Sequence, residues 1–146
     1  TENRGANRTA DSIGRRFKVG HVVFGMVYQT ITRFGLSLGG GFEVLLHCDR
    51  LLTHANSVLG LVESGVGVVP GGGGVKTTHQ RWFEATGDAE TAAWETWMQI
   101  GYGKTGESPE QATKLRYFRP GHDETVMNRD KLITRASAML KTHHPA

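Results

Sequence analysis

Between Val19 and Ile31 the chain reads VGHVVFGMVYQTI, dense in β-branched and aromatic side chains, which predicts a strand, buried over much of its surface. The next apolar run, FEVLLHC, is spaced differently. Phe42, Leu45 and Leu46 fall three and four positions apart and share one side of a helix, which should be short and should start at the three glycines just before it, Gly39, Gly40 and Gly41. RLLTHA and SVLGLV, separated by Asn56 and Ser57, read as two brief strands, and PGGGG at 70–74 as a turn that opens another helix. Asp88 is placed to cap AETAAWETWMQI, in which Ala89, Ala92, Ala93, Trp97 and Ile100 recur at helical spacing. Ser108, Pro109 and Gln111 supply a capping serine, a proline at the first helical position and a glutamine at the third. The last helix is predicted over 129–141, with Leu132, Ile133, Ala136, Met139 and Leu140 on one face and cations near its end. Strands thus come early and helices late, with no internal repeat. Residues 1–18 lack sustained periodicity and read as a weakly ordered arm, which leaves 19–146 as a single domain.

Composition narrows the class. A chain of 146 residues can build one domain with a real core but not two ordinary ones. The 38% hydrophobic content and three tryptophans argue against wholesale disorder, while 20 glycines mark a loop-rich fold. Cys48 is the single cysteine, which excludes an internal disulfide and a cysteine-based zinc cage, so a reducing, cytoplasmic setting is expected. No stretch approaches the roughly 18 to 20 apolar residues of a membrane span, and the first residues are polar. The formal charge of +3 draws on Arg4, Arg8, Arg15, Arg16 and Lys18, clustered near the N-terminus. A solvated basic arm accounts for them; contact with nucleic acid is the alternative.

Three features bear on chemistry. GYGKTG at 101–106 matches G-x-G-x-x-G, but it follows a predicted helix, and Met98 stands where a phosphate-binding loop needs glycine; an interhelical loop is expected. The seven histidines form no helical pair at metal-binding spacing, and His143 and His144 fall at the frayed end, so no metal site is expected. The triple glycine reads more strongly. A helix that starts there aims unpaired backbone N–H groups at whatever lies ahead, and such groups can stabilise a developing oxyanion while glycine permits close approach. Tight helix–strand packing is the alternative. Glu43 falls in the first turn of that helix, and Glu63 sits in LVESGVGVVPGGGG, an apolar setting in which desolvation raises a carboxyl pKa towards neutrality. If the two converge they suit acid–base work on one water. Otherwise Glu43 merely favours the helix dipole and Glu63 is a loop residue facing solvent.

On these residues the chain resembles the crotonase superfamily, the enoyl-CoA hydratases and isomerases. GLSLGGGFEVLLHCDR followed by LGLVESGVGVVPGGGGVK is similar to its central signature, and Glu43 and Glu63 stand twenty positions apart, as in its hydratases. FGLSLGGGFEVLLHCDR and FRPGHDETVMNRDKLI resemble more closely the hydratase portion at the C-terminal end of bacterial 3-hydroxyacyl-CoA dehydrogenases of fatty-acid β-oxidation. The likeness spans residues 34–141. It implies an α/β fold, a partial ββα spiral core followed by C-terminal helices. It also implies that Gly40 donates an oxyanion-hole N–H, that Glu43 activates the water adding to C3, that Glu63 protonates C2, and that Gly39, Gly41, Pro70 and Gly71 line the substrate. RGAN at 4–7 is similar to the turn that supplies the second oxyanion donor, which nominates Ala6. The implied ligand is an acyl-CoA or enoyl-CoA, with coenzyme A present only as part of the thioester, no bound cofactor and no metal. A trimer-based homo-oligomer is implied as well. Family members carry a much longer segment ahead of the triple glycine, whereas 38 residues precede it here, so a truncated member is expected, whose activity in isolation does not follow from kinship. The resemblance is to the hydratase portion and not to a dinucleotide-binding half, so the dehydrogenase step is not expected of these residues. Two other readings stand beside this one: a non-catalytic acyl-CoA-binding or subunit-assembly module, and a basic nucleic-acid-binding protein.

Overall fold

The computed structural model describes residues 30–33 and 35–142. The N-terminal arm, most of the strand expected over 19–31, Ala6, His143 and His144 lie outside the described residues. Strands β1 (Thr30–Arg33) and β2 (Leu36–Leu38) flank Gly35, whose φ of 88° is a backbone state that side chains disfavour. Helix α1 (Gly40–Leu46) follows, then β3 (Arg50–His54) and β4 (Val58–Gly60). β3 lies parallel to β1 with Arg50 opposite Thr30, and β4 parallel to β2 with Val58 opposite Leu36. The strand–strand–helix path therefore returns beside itself after 20 residues in one sheet and 22 in the other, which is one turn of a ββα spiral.

The rest of the chain extends both sheets and covers them. A 3-10 turn (Glu63–Val66) leads to α2 (Gly74–Thr86) and α3 (Ala89–Gly101). β5 (Thr105–Gly106) then pairs antiparallel with β4, α4 (Pro109–Lys114) follows, and β6 (Glu124–Val126) pairs parallel with β3. A second 3-10 turn (Arg129–Lys131) opens α5 (Leu132–Thr142). The sheets have orders β1-β3-β6 and β2-β4-β5. Successive side chains of a strand face opposite ways, so β3, central in its sheet, serves two cores. Leu51 joins Phe42, Leu45, Leu59, Leu61 and Tyr117 on one side, and Leu52 joins Leu132, Ala136 and Met139 on the other. Phe42 meets Tyr117 edge to face at 4.7 Å. Among the described residues no helix is long and apolar enough to cross a membrane.

Two polar anchors fix the outer elements. The buried Asp123 carboxylate accepts from Leu51 N–H at 3.0 Å and from Arg119 N–H at 2.8 Å, tying the loop before β6 to β3. Arg81 of α2 donates to the carbonyls of Arg116 and Tyr117, and burial together with the nearby Arg119 guanidinium lowers its pKa to about 10.

Local signals place the caps where the sequence does. Asp88 accepts from Thr91 N–H at 2.7 Å and Ser108 from Gln111 N–H at 3.2 Å, with Pro109 at the first helical position. Gln111 reaches back to Glu107 N–H, one residue ahead of the cap. The expectation of early strands and late helices needs correction: β5 and β6 come late, and β2 is a separate strand before the glycines. All are two or three residues long, too short for alternation to show, and they exist through pairing partners far along the chain. The apolar stripe expected on α3 is also displaced. Ala92, Thr96, Gln99 and Ile100 face inward, while Trp97 is 58% exposed and stacks on Trp94 at 5.6 Å. Gln99 can be buried because its amide is satisfied, accepting from Trp82 Nε1–H and donating to Leu115 O. On α5, Ile133 likewise points outward while Leu132, Ala136 and Met139 are buried.

Candidate active site

The mouth of α1 is built by Gly39. Its N–H donates to Gly60 O at 2.9 Å, prolonging the β2–β4 ladder, and its φ of 57° then reverses the chain into the helix. The carbonyl of Gly39 accepts from Phe42 and Glu43 N–H. The N–H groups of Gly40 and Gly41, by contrast, have no hydrogen-bond partner among the described residues, as the first turn of a helix requires. A Cβ on either would meet nothing within 4 Å among those residues. Glycine is required at 39 by its φ of 57°, since a Cβ there would make only an ordinary contact, 3.5 Å from Glu63 Oε1, while Gly40 and Gly41 offer open backbone.

Glu43 and Glu63 occupy different settings at this mouth. Glu43 is buried, and its Oε1 accepts from Gly72 N–H and Gly74 N–H, both at 2.8 Å, while Oε2 accepts from Gly72 N–H at 2.9 Å. The glycine run from 71 to 74 follows from this grip. A Cβ on Gly72 would sit 2.7 Å from Glu43 Oε2, and one on Gly74 2.9 Å from Oε1. Glu63 heads the first 3-10 turn, and both of its carboxylate oxygens are shielded from solvent with no hydrogen-bond partner among the described residues. A loop glutamate facing water is therefore not what the structure holds. Tyr117 lies within electrostatic reach: burial, with a smaller contribution from Glu63, pushes its phenol pKa up. Its hydroxyl oxygen accepts from Leu61 N–H at 3.4 Å. Pro70 is buried and Gly71 exposed on the segment between the 3-10 turn and the gripped loop.

The chain forms an apolar hollow of about 470 Å³ between the 3-10 turn, α2 and α3, which Ser64, the residue after Glu63, helps to line. Ser64, Val68, Val69, Val75, Trp97 and Ile100 line it, with Lys76 and His79. Ser64 Oγ–H donates to Ile100 O at 2.8 Å and so ties the turn carrying Glu63 to α3. Sequence reasoning missed His47, Tyr117 and this hollow. His47 had a usable signal, since it stands one helical turn after Glu43; Tyr117 had none, since only tertiary folding brings it to Phe42. Among the described residues no three His, Cys, Asp or Glu side chains could hold a metal ion. Cys48 is buried, and that burial, helped by Asp49 and Asp123, pushes its thiol up to about 12, which keeps it protonated.

No family model matches the chain. The Bacillus subtilis protein named "Probable 3-hydroxyacyl-CoA dehydrogenase" is 35% identical over 100 residues, which cover 68% of this chain and 12% of that protein. Human "Methylglutaconyl-CoA hydratase, mitochondrial" is 45% identical over 42 residues, 29% of this chain and 12% of that one. Among solved structures, an enoyl-CoA hydratase of Mycobacterium paratuberculosis aligns with a TM-score of 0.55 at 21% identity, over 74% of this chain and 42% of that chain. An enoyl-CoA hydratase of Geobacillus kaustophilus aligns with a TM-score of 0.53 at 23% identity, over 73% and 36%. The chain belongs to the crotonase superfamily. It has an α/β, partial crotonase fold and spans well under half the length of these relatives. In this crotonase-superfamily chain, the two stretches that carry the resemblance build the mouth of α1 and the glycine loop that grips Glu43.

Proposed function

We propose that the chain is an enoyl-CoA hydratase-type domain that adds water across the double bond of an enoyl-CoA thioester in fatty-acid β-oxidation. One observation carries the reading: the Glu63 carboxyl group, shielded from solvent and without a hydrogen-bond partner among the described residues, lies 3.5 Å from where a Cβ on Gly39 would sit, ahead of the helix turn that holds Glu43 and whose Gly40 N–H has no partner among those residues. In this reading Glu43 takes a proton from water as its oxygen bonds to C3. The double-bond electrons move through C2 towards the thioester oxygen, which Gly40 N–H stabilises, and the enolate collapses by taking at C2 the proton of a neutral Glu63 carboxylic acid, which leaves Glu63 ionised and Glu43 protonated. The hollow lined by Ser64, apolar along most of its wall, suits the hydrocarbon tail of an acyl-CoA. Gly39, Gly41, Pro70 and Gly71 complete the substrate surface, Ala6 remains the nominee for the second oxyanion donor, and a trimer-based homo-oligomer is part of the proposal.

Loss of enoyl absorbance from crotonyl-CoA tests the reading. The wild-type chain should hydrate it, and Glu63→Gln or Glu43→Gln should each lower the rate by about a hundredfold or more. No hydration by the wild type, or equal rates in the variants, overturns it. A second reading, a non-catalytic acyl-CoA-binding or subunit-assembly module, is favoured by the exposed ladder of Trp94, Trp97 and Tyr102. It predicts that acyl-CoA raises the melting temperature of wild type and Glu63→Gln alike, without turnover.

A further inference from the structure

His47 caps the C-terminus of α1 four residues after Glu43, and so lies near the same side of it. Both reach the same loop. Gly72 is held at both of its polar backbone atoms: its N–H donates to Glu43, and its carbonyl receives His47 Nε2 at 2.6 Å. A carbonyl can only accept, so the proton must sit on Nε2 of His47. The next residue, Gly73, has a φ of 96°, and a Cβ there would lie 2.8 Å from His47 Nε2. The two amides that hold Glu43 flank that glycine. Among the described residues, Glu43 and His47 are the side chains that hydrogen-bond the 71–74 loop. Four consecutive glycines have the largest backbone entropy to lose and no side chains of their own with which to anchor.

We propose that His47 is a positioning residue, whose Nε2–H pins the carbonyl of Gly72 so that the Gly72 and Gly74 amides stay on the Glu43 carboxylate. Its catalytic meaning rests on the hydratase reading; its structural meaning does not. With the imidazole gone, the Gly72 carbonyl turns to water and the loop samples states in which its amides leave Glu43. The carboxylate then loses the donors that fix its orientation.

Amide hydrogen exchange on the full chain, resolved at Gly72 and Gly74, tests this. His47→Ala should speed exchange at both by about tenfold while the amides of Leu51 and Leu52 in β3 stay protected. His47→Gln, which carries an N–H donor at similar reach, should restore protection. Should the alanine variant fail to fold, His47→Asn, whose amide falls short of the Gly72 carbonyl, replaces it. Where crotonyl-CoA is hydrated, His47→Ala should lower kcat about tenfold with KM unmoved, and His47→Gln should recover it. Unchanged exchange at Gly72 and Gly74 in His47→Ala, or no restoration by glutamine, overturns the proposal. Protection that depends on His47 in a chain that hydrates nothing sinks the hydratase reading alone.

Discussion

A methyl group at position 72 would strike Glu43 Oε2, whereas one at position 71 would meet nothing within 4 Å among the described residues. Two neighbouring glycines in one run therefore carry different loads. Gly72→Ala should cost about 1–3 kcal/mol in urea unfolding by forcing the carboxylate off its donors, and Gly71→Ala should stay within about 0.5 kcal/mol. The sequence showed the two glycine runs and both glutamates but not the contacts that require the glycines. Runs 39–41 and 71–74 look uniform in sequence; in the fold, Gly39 bends, Gly40 and Gly41 lie open, and Gly72 to Gly74 make room for Glu43 and His47. Cys48 illustrates the opposite case, in which one residue type already limits the chemistry. With its thiol held at about 12, iodoacetamide at pH 8 should leave the native chain unmodified and label it only after denaturation.

At the scale of elements, legibility followed sequence separation. The caps were readable because donor and acceptor lie within three or four residues. Ser108→Ala should therefore cost about 1 kcal/mol, measured by thermal or urea unfolding. Asp88 adds a pH signature, because its hydrogen bonds with Thr91 lower its carboxyl pKa below the ordinary value of 3.8. A depressed carboxyl contributes stability that is present above its unfolded pKa and lost as pH falls through the folded one. The melting-temperature gap between wild type and Asp88→Ala should hold steady above about pH 5 and close progressively in more acidic buffer. β6 was illegible for the converse reason. Glu124, Thr125 and Val126 show no pattern of their own, and they form a strand because Leu52, Thr53 and His54 lie alongside. The inward face of α3 was misread because alanines define a stripe weakly, and because burial of Gln99 depends on partners supplied by Trp82 and Leu115.

Across the whole molecule, β3 is where the two cores meet, and Asp123 fastens the C-terminal segment to it. Asp123→Ala removes the acceptor of a buried Leu51 N–H and the carboxylate facing Arg119, so it should cost about 3 kcal/mol and loosen β6 and α5 together. Exchange of the α5 amides reports the loosening directly. The ββα turn was legible as kinship and not as periodicity, since its strands are too short to alternate.

The aromatic ladder on α3 makes this chain its own optical gauge. Trp94 and Trp97 stand open to water, Trp97 on the wall of the hollow, while Trp82 is half-buried with its Nε1–H donated to Gln99. Hydrocarbon that displaces water from the hollow would shift emission from Trp97 to shorter wavelength, whereas the inner indole would respond to unfolding. Following both ends of the emission band through one titration would separate occupancy from melting in a single unlabelled sample.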